Sequence, residues 1–218
     1  LLKISNSAMF GFRSKVETPS RAINLLGINF TISIAIGGTV QNLLMTNLEP
    51  YSISSDDFMR ASNISSSLAN VWLSKIDGEL KEEIILPALL QETGKFILAD
   101  LISHGGKSEV FKTKISSGIS IEDAEKELLG VTTSEITAKI FRHWKLSENL
   151  IAMIENVDDI SKASDNYRKK AQILDVIKTA SNIKEPLSDE NVEKAIKKAT
   201  LYGLDIKVLR TAITTLQD

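Results

Sequence analysis

The stretch DFMRASNISSSLANVWLSKI, residues 57–76, decides the class of fold. Phe58, Ala61, Ile64, Leu68, Trp72 and Ile76 recur every three or four positions. That is the period of one helix face, so the stretch predicts an α-helix with a stripe turned to a core. Ser54, three residues before Asp57, has the spacing of an N-terminal cap. The next apolar segment, ELKEEIILPALLQETGKFILADLI at 79–102, contains Pro87 and Gly94. A proline inside a helix removes a backbone donor, so a kink or break is expected near Leu86.

The same punctuation recurs outward along the chain. Thr18-Pro19 places a hydroxyl before a proline at a first helical position. Thr132 and Glu135 have capping-box spacing, and Ser147 before Glu148 is another cap candidate. Val192, Ala195, Ile196 and Ala199 form a stripe that Gly203 should stop, because glycine enters the left-handed conformation without penalty. Asp205 then caps a last helix, with Ile206, Leu209, Ile213 and Leu216 inward. This helix–Gly–helix pair has the outline of a DNA-binding motif, but Arg210 and a few lysines are too few for phosphate contacts, so a structural hairpin is expected. Trp144 follows Ile136 and Ile140 on one stripe and should be buried. His143 beside it is expected at or near the surface. Residues 104–119, HGGKSEVFKTKISSGI, suggest an irregular connection whose Val110-Phe111 pair docks on the core. INFTISIAIGGTVQNLLM at 28–45 is the most apolar stretch; its Asn29, Gln41 and Asn42 mark a core helix rather than a span, with Gly37-Gly38 for close packing. No period-two alternation appears, so the fold class is all-α.

The chain has 218 residues, 43% of them hydrophobic and 25% charged, with a net charge of -2. This is globular composition, sufficient for one domain with an extension or two small domains. There is no cysteine, which removes disulfides, zinc ribbons and thiol catalysis together and fits a reducing, cytoplasmic setting. His104 and His143 are the two histidines, too few for a multi-histidine metal cage. The basic residues of 165–198 alternate with Asp165, Asp175, Glu185, Asp189, Glu190 and Glu193, which reads as a solvated face. Neither nucleic-acid binding nor membrane insertion is expected. No signal peptide is visible, and an amphipathic pattern already running at Leu1-Leu2 suggests a true start upstream.

Several chemistries are missing. There is no phosphate-binding glycine loop, no G-x-G-x-x-G after a strand and no G-x-S-x-G elbow. Asp100 and His104 can share a helix face but lack a third ligand. Glu82 and Glu83 are adjacent and diverge on a helix, unlike a glycosidase pair.

Five segments together resemble the HDOD domain, the HD-related output domain of bacterial signalling proteins. LLKISNSAMFGF carries the family's opening through Leu2, Asn6, Ser7, Ala8 and Phe10. PSRAINLLGINF is similar through Ala22, Ile23, Leu26 and Gly27, and RASNISSSLANVW matches the next helix. ILPALLQETGKFIL, with Gly94, resembles the stretch that often reads Gly-Leu-Leu-His-Asp-Ile-Gly. In EKELLGVTTSEITAKIFRHWKLSENLIAMIEN, Glu125, Gly130, Trp144 and Leu146 hold their places, while Ser147 replaces the usual proline.

The resemblance implies an HD-domain/phosphodiesterase-like helical bundle over 1–157, with a C-terminal helical extension at 158–218 packed on it. Catalytic relatives hold divalent metal with a His-Asp dyad and further histidines, and the metal generates a hydroxide nucleophile. Here the dyad positions are Gln91 and Glu92. Thr133 and Asn156 stand at later histidine positions. An amide and a lone carboxylate are a poor ligand set for a hard cation. The implied reading is a non-catalytic regulatory module in bacterial signal transduction. It would have no metal or other cofactor, and would bind a signalling protein or a small-molecule ligand at the degenerate pocket. The alternatives are a divergent phosphohydrolase using Glu92 and Asp100, or a structural scaffold. A buried Glu92 would need a donor, and Thr133, Ser134 and Asn156 are the expected ones.

Overall fold

A computed structural model describes residues 16–26 and 47–217. Among them all regular structure is helical. Helix α1 is Pro19–Leu26, and a 3₁₀ turn at Glu49–Tyr51 precedes α2 (Ser55–Leu73), α3 (Gly78–Leu90) and α4 (Lys95–His104). Then come α5 (Ser108–Ser116), α6 (Ile121–Leu129), α7 (Thr133–His143) and α8 (Glu148–Glu155). A 3₁₀ turn at Ile160–Lys162 leads to α9 (Asp165–Ala180), α10 (Asp189–Leu201) and α11 (Ile206–Gln217). Asn6, Ser7 and Gly27, and the apolar segment 28–45, lie outside the described residues.

The predicted starts and stops are where local chemistry places them. Ser54 and Asp57 close a reciprocal capping box on α2, and Thr132 and Glu135 close another on α7. Each box satisfies two backbone donors that the first turn leaves over. Ser147 precedes α8 in extended conformation, but its hydroxyl makes no cap bond. Gly203 takes φ +68° after α10, and the Asp205 carboxylate accepts from the N–H groups of Lys207 and Val208 at 2.9 and 3.2 Å. Gly130 ends α6 at φ +74°, a conformation costly for any residue with a Cβ.

Two apolar clusters form the interior. The larger joins Leu68 and Trp72 of α2 to α3, to Ala138 and Phe141 of α7, to α8 and to α9, α10 and α11. The C-terminal helices thus share a core with the segments before them. The smaller cluster gathers Tyr51, Phe58, Phe96, Ile102, Phe111 and Ala124. Helix α2 belongs to both clusters. The turn Gln91–Gly94, between α3 and α4, passes from one to the other.

Four expectations need correction. Helix α3 runs unbroken through Pro87 and ends only at Leu90. Buried Ile84, Ile85, Ala88 and Leu89 anchor it on both sides of the missing donor, so tertiary packing outweighs the lost bond. Residues 108–116 are helical, with Phe111 fully buried and Val110 outward. Ile76 lies beyond the end of α2 and is exposed, so the stripe closes at Trp72. Trp144 is 36% exposed. It sits past the last residue of α7, and its ring stacks at 5.8 Å on Phe141, which takes the core position instead. The inward face of α7 is Ser134, Thr137, Ala138 and Phe141, one register away from Ile136 and Ile140. No helix among the described residues is long and apolar enough to cross a membrane.

Candidate functional site

The turn Gln91–Gly94 packs directly against the N-terminal turn of α7. Gly94 has an ordinary helical φ of −59°, so its glycine is required by space rather than by conformation. A Cβ there would overlap the Thr133 carbonyl oxygen and stand 2.9 Å from Thr137 Oγ1. The Gly94 N–H donates to Thr137 Oγ1 at 2.8 Å, and that hydroxyl lies 2.8 Å from the Thr133 carbonyl and 3.1 Å from the Gln91 carbonyl. Gly94→Ala is therefore expected to cost about 1–3 kcal/mol through overpacking. A urea midpoint equal to that of the parent protein would show that the turn can move away from α7.

This close approach positions a buried charge network. Lys95, the first residue of α4, is 1% exposed. Its ammonium pairs with Glu92, lies 3.7 Å from Glu125 Oε1 and donates to Thr133 Oγ1 at 3.2 Å. It also stands 5.3 Å from the centre of the Tyr51 ring. Glu125, fully buried on α6, accepts from the Thr133 N–H and hydroxyl at 2.6 Å each and from the Tyr51 hydroxyl at 2.8 Å.

A second ammonium completes the network. Lys178 of α9 reaches Asp158 at 2.5 Å, Glu122 at 2.9 Å and the other oxygen of Glu92 at 3.6 Å. Ser134 donates to Asp158. Two lysines and four carboxylates are thus interlocked, with Glu92 shared between the lysines. Glu92, Lys95, Glu122, Asp158 and Lys178 are among the residues that line a cleft of about 1080 Å³. The cleft continues past Asp175, which accepts from Lys198 at 2.6 Å and from the Tyr202 hydroxyl at 2.7 Å. A neighbouring cleft of about 390 Å³ meets it at Glu122 and Asp158.

The sequence-derived residues distribute unevenly over this arrangement. Gln91 and Glu92 occupy the turn side by side. Thr133 belongs to the network, but through Glu125 and Lys95 rather than through Glu92. Asn156 caps α8, donating to the Ala152 carbonyl at 2.9 Å, and faces the smaller cleft. The partners expected for Glu92, namely Thr133, Ser134 and Asn156, are replaced by the two lysines. His104 and Asp100 form an exposed pair away from the network, 3.2 Å apart.

The lysines and Tyr51 were not foreseen as site residues. Lys95 had a signal: it is a lone cation opening the apolar run FILADLI. Lys178 shares its helix face with Ala171, Leu174 and Ser181, three and four positions apart, all of them buried. The solvated face expected for 165–198 is corrected there, since Lys178 and Asp175 point inward. Nothing local marks Tyr51, whose partner Glu125 is 74 residues away.

A divalent metal does not fit this place. Gln91 directs its amide nitrogen to Ser65 Oγ at 3.2 Å, and both oxygens of Glu92 face ammonium groups. Thr133 is committed to Glu125. A metal would have to displace tethered cations that are already neutralising the carboxylates.

Burial disfavours charge on both lysines, but the facing carboxylates outweigh it. Lys95 is held above the usual lysine range chiefly by Glu92 and Glu125, and Lys178 well above it by Asp158 and Glu122. Burial would raise Glu122, yet Lys178 and Lys95 pull it down to about 2. Burial raises Glu125, with Lys95 opposing. The signs give two limbs. A depressed carboxyl contributes stability above its unfolded pKa of about 4.3, and loses it as pH falls through the folded value. Raised lysines contribute below about 10.4 and lose that contribution as pH rises through their folded values. Glu125 acts oppositely on the acid side, because its protonation favours the folded form. The urea midpoint should therefore fall from pH 5 towards pH 2 and again above pH ~10.5, and Glu122→Gln should flatten the acid limb. An acid limb unchanged by that substitution would remove Glu122 from the linkage.

Comparison with known proteins agrees with the fold. No match is found among curated protein sequences. A virulence factor from Campylobacter jejuni subsp. jejuni superposes with a TM-score of 0.63 at 22% identity, covering 99% of this chain and 81% of that one. A candidate phosphohydrolase from Shewanella amazonensis superposes with a TM-score of 0.62 at 20% identity, covering 99% of this chain and 77% of the other. A candidate metal-dependent phosphohydrolase from the same organism gives 0.60 at 14% identity, with coverages of 99% and 77%. Identities this low establish a shared helical architecture. The family profile described as the HDOD domain matches residues 1–160, from the start of the chain through α8. With most of its length matched, this chain belongs to the HDOD domain family.

Proposed function

We propose that this chain is a non-catalytic regulatory module of bacterial signal transduction, acting by binding a protein partner or a small ligand. The observation that carries the reading is the state of Glu92. It stands where the family resemblance assigns the second residue of a metal-binding dyad, and Lys95 and Lys178 grip its two oxygens. A hydrolytic site of this type needs a cation with open coordination positions to activate water. Ammonium groups neutralise carboxylates but generate no hydroxide. The site is thus built to hold helices α4, α6, α7 and α9 in register beside an open cleft, where binding can be sensed.

The experiment is metal loading of the full chain. The protein is incubated with Mn²⁺, desalted, and examined by elemental analysis and by hydrolysis of an aryl phosphodiester. The expected result is less than stoichiometric metal and no hydrolysis above buffer. One metal per chain, lost in Glu92→Gln together with measurable hydrolysis, would replace this reading with a divergent phosphohydrolase.

A further inference from the structure

Gln91 carries an amide atom that no protein group satisfies. The residue is 1% exposed, its Nε2 donates to Ser65 Oγ at 3.2 Å, and its Oε1 has no hydrogen-bond partner. Turning the amide over does not remove the problem. The oxygen would then accept from the Ser65 hydroxyl, and the nitrogen would be left without an acceptor. A buried amide atom in this position is costly unless something pairs with it.

The surroundings say what that is. Ser62, Ser65, Gln91, Glu92, Lys178 and Ser181 line a cavity of about 10 Å³ between α2, the dyad turn and the end of α9. That is about the space one water molecule needs, and buried waters settle where two to four polar partners converge. The partners have complementary capacity left. Ser65 accepts from Gln91 and still has its own proton to give. Ser181 gives its proton to the Ile177 carbonyl at 2.7 Å and keeps lone pairs to accept with. Lys178, already on the wall, makes a second cation unfavourable.

We propose that this cavity is a binding site for a single water molecule. The water donates to Gln91 Oε1 and to Ser181 Oγ and accepts from the Ser65 hydroxyl. It ties α2 to the end of α9 across the turn at the first dyad position. Gln91 is then a water-binding residue there, and Glu92 beside it is an ion-pairing one.

The test uses the uniformly ¹⁵N-labelled full chain. Cross-peaks between the Gln91 side-chain amide and a long-lived water are expected in water-selective NOE and ROE spectra. In Gln91→Met, a substitution of similar length with no group to pair, the water is read instead at the backbone N–H groups of Ser65 and Ser181, where cross-peaks present in the parent protein should be lost. A crystal structure should place one ordered water within hydrogen-bond distance of Gln91 Oε1. If Gln91→Met fails to fold, Ser181→Ala is read in the same way, with weakened cross-peaks expected. Absence of a long-lived water in the parent protein, or its persistence unchanged in either variant, would overturn the proposal.

Discussion

Lys95→Met should lower the stability of this protein by about 3–5 kcal/mol, the range measured when one partner of a buried ion pair is removed. Methionine matches the length of the lysine stem, so the cavity term is small and the loss is electrostatic. Glu125 is fully buried and Glu92 largely so, and each would lose its nearest cation. At roughly 2–4 °C per kcal/mol for a chain of this size, the thermal midpoint should fall by about 6–20 °C. The cause can be separated from packing by adding Glu125→Gln. Without a charge at 125 to orphan, the double variant should be less destabilised than the sum of the single ones, by more than the ~0.5 kcal/mol expected of independent sites. Additivity would mean that the 3.7 Å approach of Lys95 to Glu125 carries no energy, and that Lys95 acts through its pair with Glu92.

The second large effect is expected at Trp72. Its side chain is fully buried in the larger core, between α2 and the helices that pack on it. Trp72→Ala should cost about 3–5 kcal/mol, because the cavity it opens can close only partly. The indole nitrogen has no hydrogen-bond partner, so Trp72→Phe forfeits volume and no hydrogen bond, and should cost clearly less. Trp144 is the internal comparison. It is partly exposed and stacked on Phe141, and Trp144→Ala should cost only about 1–2 kcal/mol. Chemical unfolding of the three variants in parallel orders the two tryptophans. Equal losses at 72 and 144 would contradict the placement of Trp144 beyond the end of α7.

Much of the architecture is decided by information local in the chain. The stripe Phe58–Ala61–Leu68–Trp72 lies within one helix, and the capping boxes at Ser54 and Thr132 and the glycines at 130 and 203 each report on only a few neighbouring residues. Period, cap and left-handed turn act over such distances, so all-α architecture and most helix starts could be read directly from the sequence. The likeness of five ordered segments to the HDOD domain was legible for the same reason, since each segment is a helix or a turn with its own pattern.

Tertiary structure decided what those patterns could not encode. Pro87 signals a break, yet the apolar residues on both sides of it are buried and α3 continues through it. Ile136, Ile140 and Trp144 form a plausible stripe, but α7 turns Thr137, Ala138 and Phe141 inward, because Gly94 and the dyad turn press on that face. The site shows the limit most clearly. Residues 91 and 92 could be singled out from sequence, and so could the loss of histidine there. That Glu92 would meet Lys95 three positions away and Lys178 from α9 depends on how α4 and α9 pack. A lysine's charge predicts exposure until four carboxylates from separate segments converge around two such lysines. The energy of that convergence comes from contacts up to 86 residues apart in the chain, which no local pattern records.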